Sequence, residues 1–501
     1  VEGTSRKLRA SGTVADLQGA DRMNFMLSEI VQATGGTLVQ GDPKMRVGRI
    51  CTDTRTLRAG ETFLALNGRN FAGDSFIAEA LEKGATGVIA PMQYHGDNFP
   101  KGVFLLKVVD TTDALGAIAR EWRKVVDPTV VAITGSAGKT TTKEMLGFIC
   151  RGSFSLLATE GNLNNLVGLP HTLNRLREEH EVAIVETGMS EPGELTKLAH
   201  ICIPDIAVIT NIGNAHIGNF KNMEALIAAK AELFEASPRT ATAIINADCP
   251  HASIMAEAFE IPEMVISYGQ NPKADVRASN VELVSPYGYT FDLRILDVTQ
   301  HVHLKVYGRY QISNALAAAA AAAAIGVPPE IIAQRLNDFD APKMRAQTEW
   351  FDGFLLIADC YNASPDAMVT SLRSLNDLTL PGQRYALLAD MLELGEHAEK
   401  FHRDAGRAAA EAKVDFLCTV GTNSRFIMEE AENLGVAAKH FATAEEAAEF
   451  LSRKLQSNDV LLVKGSRGMK LENALLRLKE VRAAVRNGEQ ATSMEESSNQ
   501  A

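Results

Sequence analysis

Short apolar runs alternate with amphipathic segments along most of the chain. Strong runs lie at residues 130–133, 182–185, 206–209 and 242–245, and each is followed by a segment whose apolar residues have helical spacing. Short continuous apolar runs are typical of buried strands. Their alternation with helices is typical of a mostly parallel sheet with helices on both faces. The pattern therefore predicts an α/β fold.

The pattern changes in the second part of this region. Between residues 274 and 308 apolar and polar residues alternate, which predicts antiparallel strands at the edge of the sheet. An alanine run follows within 311–325. Because alanine has the highest helix propensity and a small side chain, this segment is predicted to be a buried helix.

Length and pattern together predict several domains. The chain has 501 residues, and single cores stop growing well below that length, so roughly three domains are expected. The predicted divisions are a disordered leader at 1–22, a first α/β domain at 23–126, a central domain at 127–340, a C-terminal α/β domain at 341–486 and a mobile tail at 487–501.

The segment VVAITGSAGKTTT at 130–142 is the most informative part of the chain. A β-branched strand leads into a turn, and a helix is predicted to begin at Lys139. Gly135 and Gly138 let the turn curl, so that its N–H groups converge on one point. This is the context that a phosphate-binding loop requires.

The residues after the turn supply the remaining parts of such a site. Lys139 can place its ammonium on the β- and γ-phosphates, and Thr140 or Thr141 can offer a hydroxyl to Mg²⁺. The common spacing G-x-x-x-x-G-K-[ST] would need glycine where Ile133 stands, so the loop is a short variant. The alternative is a tight turn with an exposed lysine.

Polar residues follow the next strands of the predicted central sheet. The strand VAIVE ends at Glu186, where a second Mg²⁺ ligand is expected, because the carboxyl ends of strands line the cleft of open α/β sheets. His216 follows another strand and is a metal or phosphate ligand candidate. The alternatives are a solvated glutamate and an exposed histidine. From composition alone, Lys230 and Glu232 are predicted to be surface charges.

Further polar clusters suit ligand binding. One is a glycine-flanked loop with three asparagines, for which a simple turn is the alternative. Two others follow strands of the C-terminal domain and predict a cleft that faces the central domain, with ordinary βα loops as the alternative. The candidates are Asn162, Asn164, Asn165, Asp359, Tyr361, Asn362, Lys464, Ser466 and Arg467.

Composition excludes several classes of function. The net charge of −12 argues against broad electrostatic binding to nucleic acid or to an anionic membrane. The six cysteines are scattered without zinc or disulfide spacing, which is typical of reduced thiols in a cytoplasmic protein. The apolar run at 315–325 is too short to span a bilayer. A cytoplasmic protein without membrane insertion is predicted.

At this point the chain resembles the Mur ligase superfamily, over about 23–486. The motifs are GSAGKTT at 135–141, DCYNASP at 359–365, ADMLELG at 389–395 and KGSR at 464–467. The C-terminal motifs are similar to those of the subgroup that adds D-alanyl-D-alanine to UDP-N-acetylmuramoyl-tripeptide in peptidoglycan precursor synthesis.

The resemblance implies an architecture and an activity. The fold would be a central P-loop-type sheet flanked by an N-terminal uridine-nucleotide domain and a C-terminal Rossmann-like domain. The activity would be ATP-dependent amide ligation through an acyl phosphate, with two Mg²⁺ ions, by a monomer. Carbamylated Lys230 would bridge to the second Mg²⁺.

The resemblance also implies roles for individual residues. Catalytic roles fall on Lys139, Glu186, His216 and Lys230, and metal binding on Thr140, Glu186, His216 and Lys230. ATP contacts fall on Gly135, Ser136, Ala137, Gly138, Lys139, Thr140, Thr141, Asn314, Arg345 and Asp359. Substrate contacts fall on Thr54, Arg55, Asn162, Asn164, Asn165, Tyr361, Asn362, Lys464, Ser466 and Arg467.

Three other functions remain alternatives. The nearest is another amide ligase of the superfamily, such as a folylpolyglutamate synthase or the diaminopimelate- or lysine-adding ligase. A P-loop switch or motor ATPase is disfavoured, because the strand that ends at Glu186 lacks an hhhhD signature and no N-K-x-D motif is present. A binding-only relative is disfavoured by the intact GKTT, Glu186 and Lys230.

Overall fold

The computed structural model describes residues 25–68, 72–96 and 99–498. The leader predicted at 1–22 therefore lies outside the described residues. The chain divides into two compact units: Val1–Asp127 with Leu173–Glu179, and Pro128–Thr172 with His180–Ala501.

The first unit contains a five-stranded sheet in the order β2-β7-β6-β5-β4, in which β2 is antiparallel to β7 and the other pairs are parallel. Asp110 caps the last helix by accepting hydrogen bonds from two backbone N–H groups, at 2.7 and 2.9 Å. The strands are β1 (Phe25–Met26), β2 (Thr37–Gln40), β3 (Arg46–Val47), β4 (Ile50–Cys51), β5 (Thr62–Leu64), β6 (Gly87–Pro91) and β7 (Phe104–Val108), and the helices are α1 (Leu27–Thr34), α2 (Ile77–Glu82) and α3 (Thr111–Val126).

The second unit contains two sheets, of which the first has nine strands in the order β16-β15-β14-β13-β12-β11-β8-β10-β9. Its strands are β8 (Thr129–Thr134), β9 (Leu156–Ala158), β10 (Val182–Glu186), β11 (Ile206–Ile209), β12 (Thr242–Asn246), β13 (Met264–Gly269), β14 (Val276–Leu283), β15 (Tyr289–Ile295) and β16 (Val298–Leu304). Its helices are α4 (Lys139–Cys150), α5 (Gly168–Leu173), α6 (Glu194–Cys202), α7 (Met223–Glu235), α8 (Pro250–Ala258), α9 (Tyr310–Ile325) and α10 (Pro329–Asn337).

This sheet confirms the predicted α/β class. The pairs from β9 to β14 are parallel, and β14, β15 and β16 form the antiparallel edge expected from the alternating pattern. The alanines at 317–322 of α9 are buried, as predicted, and α9 packs on α4. The strand order reverses at β8, and such a reversal opens a crevice at the carboxyl ends of the strands.

The other sheet of this unit has six strands in the order β17-β18-β22-β19-β20-β21, parallel except for β17. Because β22 lies between β18 and β19, the loops after β18 and β22 are neighbours although they are far apart in sequence. The strands are β17 (Gln347–Phe351), β18 (Phe354–Ala358), β19 (Arg384–Ala389), β20 (Phe416–Val420), β21 (Ala437–Phe441) and β22 (Val460–Lys464). The helices are α11 (Pro365–Arg373), α12 (Ala398–Glu411), α13 (Ser424–Asn433), α14 (Ala444–Lys454) and α15 (Glu472–Ser498).

The last helix extends beyond the predicted domain limit. Helix α15 continues to Ser498, through most of the segment from 487 that was predicted to be a mobile tail. The missing apolar period does not end the helix, because glutamate, glutamine, alanine and methionine all have high helix propensity. The mobility of the tail and the limits at 126, 340 and 486 stay predictions.

Candidate active site

The turn after β8 depends on its two glycines. Gly135 has φ +144° and Gly138 has φ +82°, which side chains other than hydrogen disfavour. A Cβ on Gly135 would lie 2.0 Å from the Thr210 hydroxyl, and one on Gly138 would lie 2.2 Å from Asn314 Oδ1. The ammonium of Lys139 donates to the Gly135 carbonyl at 2.7 Å. The backbone is thus curled around the position where a phosphate would bind.

A second loop, after β11, holds this turn in place. Asn211 accepts from the Ala137 N–H through its side chain (2.8 Å) and from the Ser136 N–H through its carbonyl (3.0 Å). The Ser136 hydroxyl accepts from the Gly213 N–H at 2.8 Å and faces its carbonyl at 3.0 Å. The Thr210 hydroxyl donates to the Ala137 carbonyl at 2.6 Å. Asn211, two residues after the end of β11, was not among the predicted site residues.

Glu186 lies at the end of β10, beside the turn, and is buried. Its Oε2 accepts from the Thr140 hydroxyl at 2.6 Å, and its Oε1 accepts from Asn164 Nδ2 at 2.9 Å. The Glu186 N–H donates to the Thr159 hydroxyl at 3.0 Å. A carboxylate and a hydroxyl are therefore fixed side by side next to the phosphate position.

The three predicted asparagines have different surroundings. Asn164 holds Glu186 and also accepts from the Gly188 N–H at 2.7 Å through its carbonyl. Asn165 accepts from the N–H groups of Val167 and Gly168, at 3.2 and 2.8 Å, which is a turn-stabilising role. Asn162 lines the cleft.

Three cations converge on the cleft. Burial lowers the pKa of Lys139; the charge of Arg345 lowers it further, and Glu186 opposes the shift. Burial also lowers the pKa of Arg345, whose guanidinium carbon lies 4.0 Å from the centre of the Tyr361 ring. Burial and the charge of Lys139 lower the pKa of Lys230 to about 7. Buried like charges favour an anionic ligand at this place.

The prediction from composition that Lys230 is a surface charge is wrong, since its side chain is buried. It lies on the same helical face as Leu226 and Phe234, one turn away on either side, and both are buried. Glu232 is not a free surface charge either. Its carboxylate accepts from the N–H groups of Gly193 (2.7 Å) and Thr196 (3.1 Å) at the start of α6.

His216 lies where the nine-stranded sheet meets the C-terminal part of the same unit. This part contains the six-stranded sheet of β17 to β22 and the helices α11 to α15. The backbone of His216 has φ +62°, a left-handed conformation that costs roughly 1–3 kcal/mol in a non-glycine residue. Nδ1 lies 2.7 Å from Glu393 Oε2, but outside hydrogen-bonding geometry. Burial lowers the pKa of His216; the charges of Lys139 and Lys230 lower it further, and Glu393 opposes the shift.

Two predicted residues of the C-terminal part form a buried ion pair. Lys464 Nζ lies 2.7 Å from Asp359 Oδ2, because β18 and β22 are adjacent. Asp359 also accepts from the Ser371 hydroxyl (3.0 Å) and the Ala346 N–H (3.2 Å). These contacts fix the backbone next to Arg345.

The other predicted C-terminal residues lie nearby. The Ser466 hydroxyl accepts from the Leu392 N–H at 3.0 Å. Arg467 is half-exposed; its guanidinium carbon lies 5.2 Å from the Tyr361 ring centre, and NH1 lies 3.1 Å from Glu472.

These residues line one cleft of about 740 Å³ in the second unit. The predicted residues in its lining are Gly135, Ser136, Ala137, Gly138, Lys139, Thr140, Thr141, Asn162, Asn164, Asn165, Glu186, His216, Lys230, Asn314, Arg345, Asp359, Tyr361, Asn362, Lys464, Ser466 and Arg467. Thr54 and Arg55 belong to the first unit, where Thr54 is buried and Arg55 pairs with Asp53 at 2.6 Å.

The donor set fits a nucleotide-bound Mg²⁺. Among the described residues, no group of three or more His, Cys, Asp and Glu side chains is arranged to hold a metal ion. Thr140 and Glu186 supply two hard oxygens beside the phosphate position. Mg²⁺ is commonly held by one or two such groups together with substrate phosphates and water.

The chain is similar to known proteins over most of its length. The Mur ligase middle domain model matches residues 133–322, and the Mur ligase glutamate ligase domain model matches 344–467. UDP-N-acetylmuramoyl-tripeptide–D-alanyl-D-alanine ligase from Bacillus subtilis is 32% identical over 452 residues, which are 89% of this chain and 96% of that one.

Two solved structures are similar over nearly the same length. MurF from Acinetobacter baumannii is 32% identical with a TM-score of 0.83, covering 92% of this chain and 100% of that one. MurF from Thermotoga maritima in complex with ADP is 26% identical with a TM-score of 0.78, covering 87% and 98%.

The glycine geometry generates a prediction. Gly138→Ala would combine an unfavourable φ with a clash against Asn314, and is expected to weaken ADP binding by at least about tenfold, or about 1.4 kcal/mol. Gly193→Ala is the matched control, because Gly193 has φ +87° and a Cβ there meets nothing within 4 Å. Isothermal titration calorimetry with ADP measures both. Equal affinities for the two variants would contradict the assigned role of the turn.

Proposed function

The chain belongs to the Mur ligase family, and we propose that it uses ATP to join D-alanyl-D-alanine to UDP-N-acetylmuramoyl-tripeptide. Mur ligases are ATP-dependent amide ligases, and this chain is one of them. The observation that carries the proposal is the contact between Thr140 and Glu186, made beside Lys139 at the phosphate-binding turn. The identity to ligases of this specificity supports the choice of substrates.

The reaction requires an activated carboxylate. A free carboxylate does not acylate an amine at neutral pH, because oxide is a poor leaving group. Transfer of the γ-phosphoryl group to a carboxylate oxygen gives ADP and an acyl phosphate. The dipeptide amine then attacks the acyl carbon, a tetrahedral intermediate forms, and phosphate leaves with the bridging oxygen as the amide forms. The amine loses one proton as the amide forms.

The clustered cations suit the first step. ATP and the substrate carboxylate are both anionic, so their approach must be stabilised by positive charge. Lys139 and the N–H groups of the turn would hold the β- and γ-phosphates. Thr140 and Glu186 would hold Mg²⁺, which when bound polarises the phosphoryl oxygens. His216 and a carbamylated Lys230 would hold a second Mg²⁺.

Other residues of the cleft would orient the nucleotide and the substrates. Arg345, stacked on Tyr361, would contact the nucleotide, and Asn314 lies against the turn at Gly138. Because Asp359 already accepts three hydrogen bonds, we assign it the role of fixing the backbone beside Arg345.

Arg467 is a better candidate than Lys464 to bind the dipeptide carboxylate. Lys464 is buried in its ion pair with Asp359, whereas Arg467 is half-exposed at the cleft. We therefore propose Arg467 as the partner of that carboxylate. In the first unit, Thr54 and Arg55 are proposed to contact the uridine nucleotide. We propose that the sequence-based limits at 126 and 340 separate three domains: a uridine-nucleotide domain, a central ATP-binding domain and a C-terminal domain.

Of the helices that the structure describes, none combines the length and the apolarity needed to cross a membrane. The monomeric state and the cytoplasmic location stay predictions. Among the alternatives, the sister ligases differ from the proposed function in the amine they use, so a substrate test separates them.

Phosphate release tests the proposed function. With ATP, Mg²⁺ and UDP-N-acetylmuramoyl-tripeptide, phosphate release is expected to require D-alanyl-D-alanine, and mass spectrometry should show the pentapeptide product. Both diaminopimelate and lysine forms of the tripeptide are to be tried, and Lys139→Met is the inactive control. Turnover with a free amino acid in place of the dipeptide would assign the chain to a sister ligase. No turnover with any amine would overturn the ligase function.

The carbamate on Lys230 is tested separately. At pH 8 the Lys230 amine is mostly neutral, because its pKa is lowered to about 7, and a neutral amine can add CO₂ with loss of one proton. In ¹³C-bicarbonate, a protein-bound carbamate carbon is expected in the NMR spectrum. The signal should vanish in Lys230→Met and persist in Lys221→Met, which alters an exposed lysine. A signal that survives in Lys230→Met would contradict the assignment.

A further inference from the structure

The loop at 210–219, between β11 and α7, has contacts on two sides. On one side it holds the phosphate-binding turn through Asn211 and Gly213. On the other side it meets two carboxylates from the C-terminal part of the same unit. These are Asp366, in the first turn of α11, and Glu393, after β19.

Asp366 holds the loop through two hydrogen bonds. Its Oδ2 accepts from the Asn214 backbone N–H at 2.6 Å, and its Oδ1 accepts from Asn214 Nδ2 at 2.9 Å. The neighbouring Gly213 allows this approach, because a Cβ there would lie 2.2 Å from Asp366 Oδ2. Adjacent residues therefore make the two sets of hydrogen bonds: Gly213 bonds to the turn, and Asn214 bonds to the C-terminal part.

The second contact joins His216 of the loop to Glu393, and the backbone segments around these two residues pack closely. His216 and Glu393 both have positive φ, +62° and +63°, and their side chains meet at 2.7 Å. Nearby, a Cβ on Gly218 would lie 2.7 Å from the carbonyl carbon of Leu394 and 2.8 Å from the Gly395 nitrogen. The motif ADMLELG at 389–395 therefore packs directly on the loop that supports the phosphate-binding turn.

We propose that Asp366 and Glu393 are positioning residues, which set the geometry of the phosphate-binding turn through the loop at 210–219. The inference rests on the proposed function, since it takes the turn as the ATP site. When the C-terminal part contacts the loop, the turn then binds the nucleotide more tightly. Nucleotide binding to the turn in return favours that contact. Such coupling is reciprocal, so each event strengthens the other by the same factor.

Asp366→Asn tests the first contact without changing side-chain size. An amide at position 366 can accept one of the two hydrogen bonds from Asn214, but its NH₂ group then faces the other donor. The dissociation constant for ADP and the KM for ATP are expected to rise about fivefold or more, with a smaller change in kcat. The swapped pair, Asp366→Asn with Asn214→Asp, restores both hydrogen bonds and should restore nucleotide affinity.

Two more variants distinguish an effect on the loop at 210–219 from a general weakening of contact between the nine-stranded sheet and the C-terminal part. Gly218→Ala inserts a methyl group against the Leu394 backbone and should weaken ADP binding in the same way, without removing a polar group. Tyr289→Phe removes a different hydrogen bond between the parts, from the Tyr289 hydroxyl to Asp377 at 2.5 Å, which does not contact the loop. Its ADP affinity should equal that of the wild type.

Calorimetry with ADP and steady-state kinetics decide the outcome. Wild-type affinity in Asp366→Asn, or equal losses in Asp366→Asn and Tyr289→Phe, would overturn the inference alone. Failure of the swapped pair to recover affinity would also overturn it. A wild-type protein that binds no ADP would overturn the proposed function itself.

Discussion

Positive charges held close together in a buried cleft are the constraint on which the rest of the active site depends. Loss of water contacts lowers the pKa values of Lys139, Lys230 and Arg345. Repulsion lowers two of them further, that of Lys139 through Arg345 and that of Lys230 through Lys139. Coulomb interactions are strong where water is excluded, so an arriving polyanion relieves this repulsion. The cleft is therefore arranged for a phosphate chain and a substrate carboxylate to meet.

The topology explains how these charges come together. The turn that carries Lys139 follows β8, where the strand order reverses, and Glu186 ends the adjacent strand β10. In the second sheet, insertion of β22 beside β18 brings Lys464 to Asp359, and their ion pair steadies the backbone next to Arg345. Carboxyl ends of parallel strands in two sheets thus supply the opposite walls of one cleft.

Sequence reasoning succeeded where a residue's position follows from its local context. Apolar periodicity predicted the parallel strands and the buried alanine helix. The glycine-lysine turn and the strand ends at Glu186 and Asp359 line one cleft, and their roles in binding stay predictions. Composition failed for Lys230, although its helical spacing from the apolar residues Leu226 and Phe234 carried the signal that it is buried.

Roles that depend on pairing across the fold were not predictable. Asn211 supports the turn from another strand's loop, and Asp366 and Glu393 reach the same loop from a different sheet. Glu393 lies in the motif ADMLELG, and Asp366 directly follows DCYNASP. Their partners are many residues away in sequence, and neither motif shows which loop these carboxylates contact. Asn165 differs from these residues, because its contacts are local. Its side chain stabilises a turn, which is the alternative that the sequence offered for this loop.

The central claim is that the cations of this cleft allow the γ-phosphoryl group to move to the substrate carboxylate. Isotope transfer tests this most directly. UDP-N-acetylmuramoyl-tripeptide with ¹⁸O in the reacting carboxylate is turned over with ATP and D-alanyl-D-alanine, and the released phosphate is analysed by mass spectrometry. The account predicts one labelled oxygen in each phosphate, carried over from the acyl phosphate. Unlabelled phosphate alongside normal amide formation would contradict it.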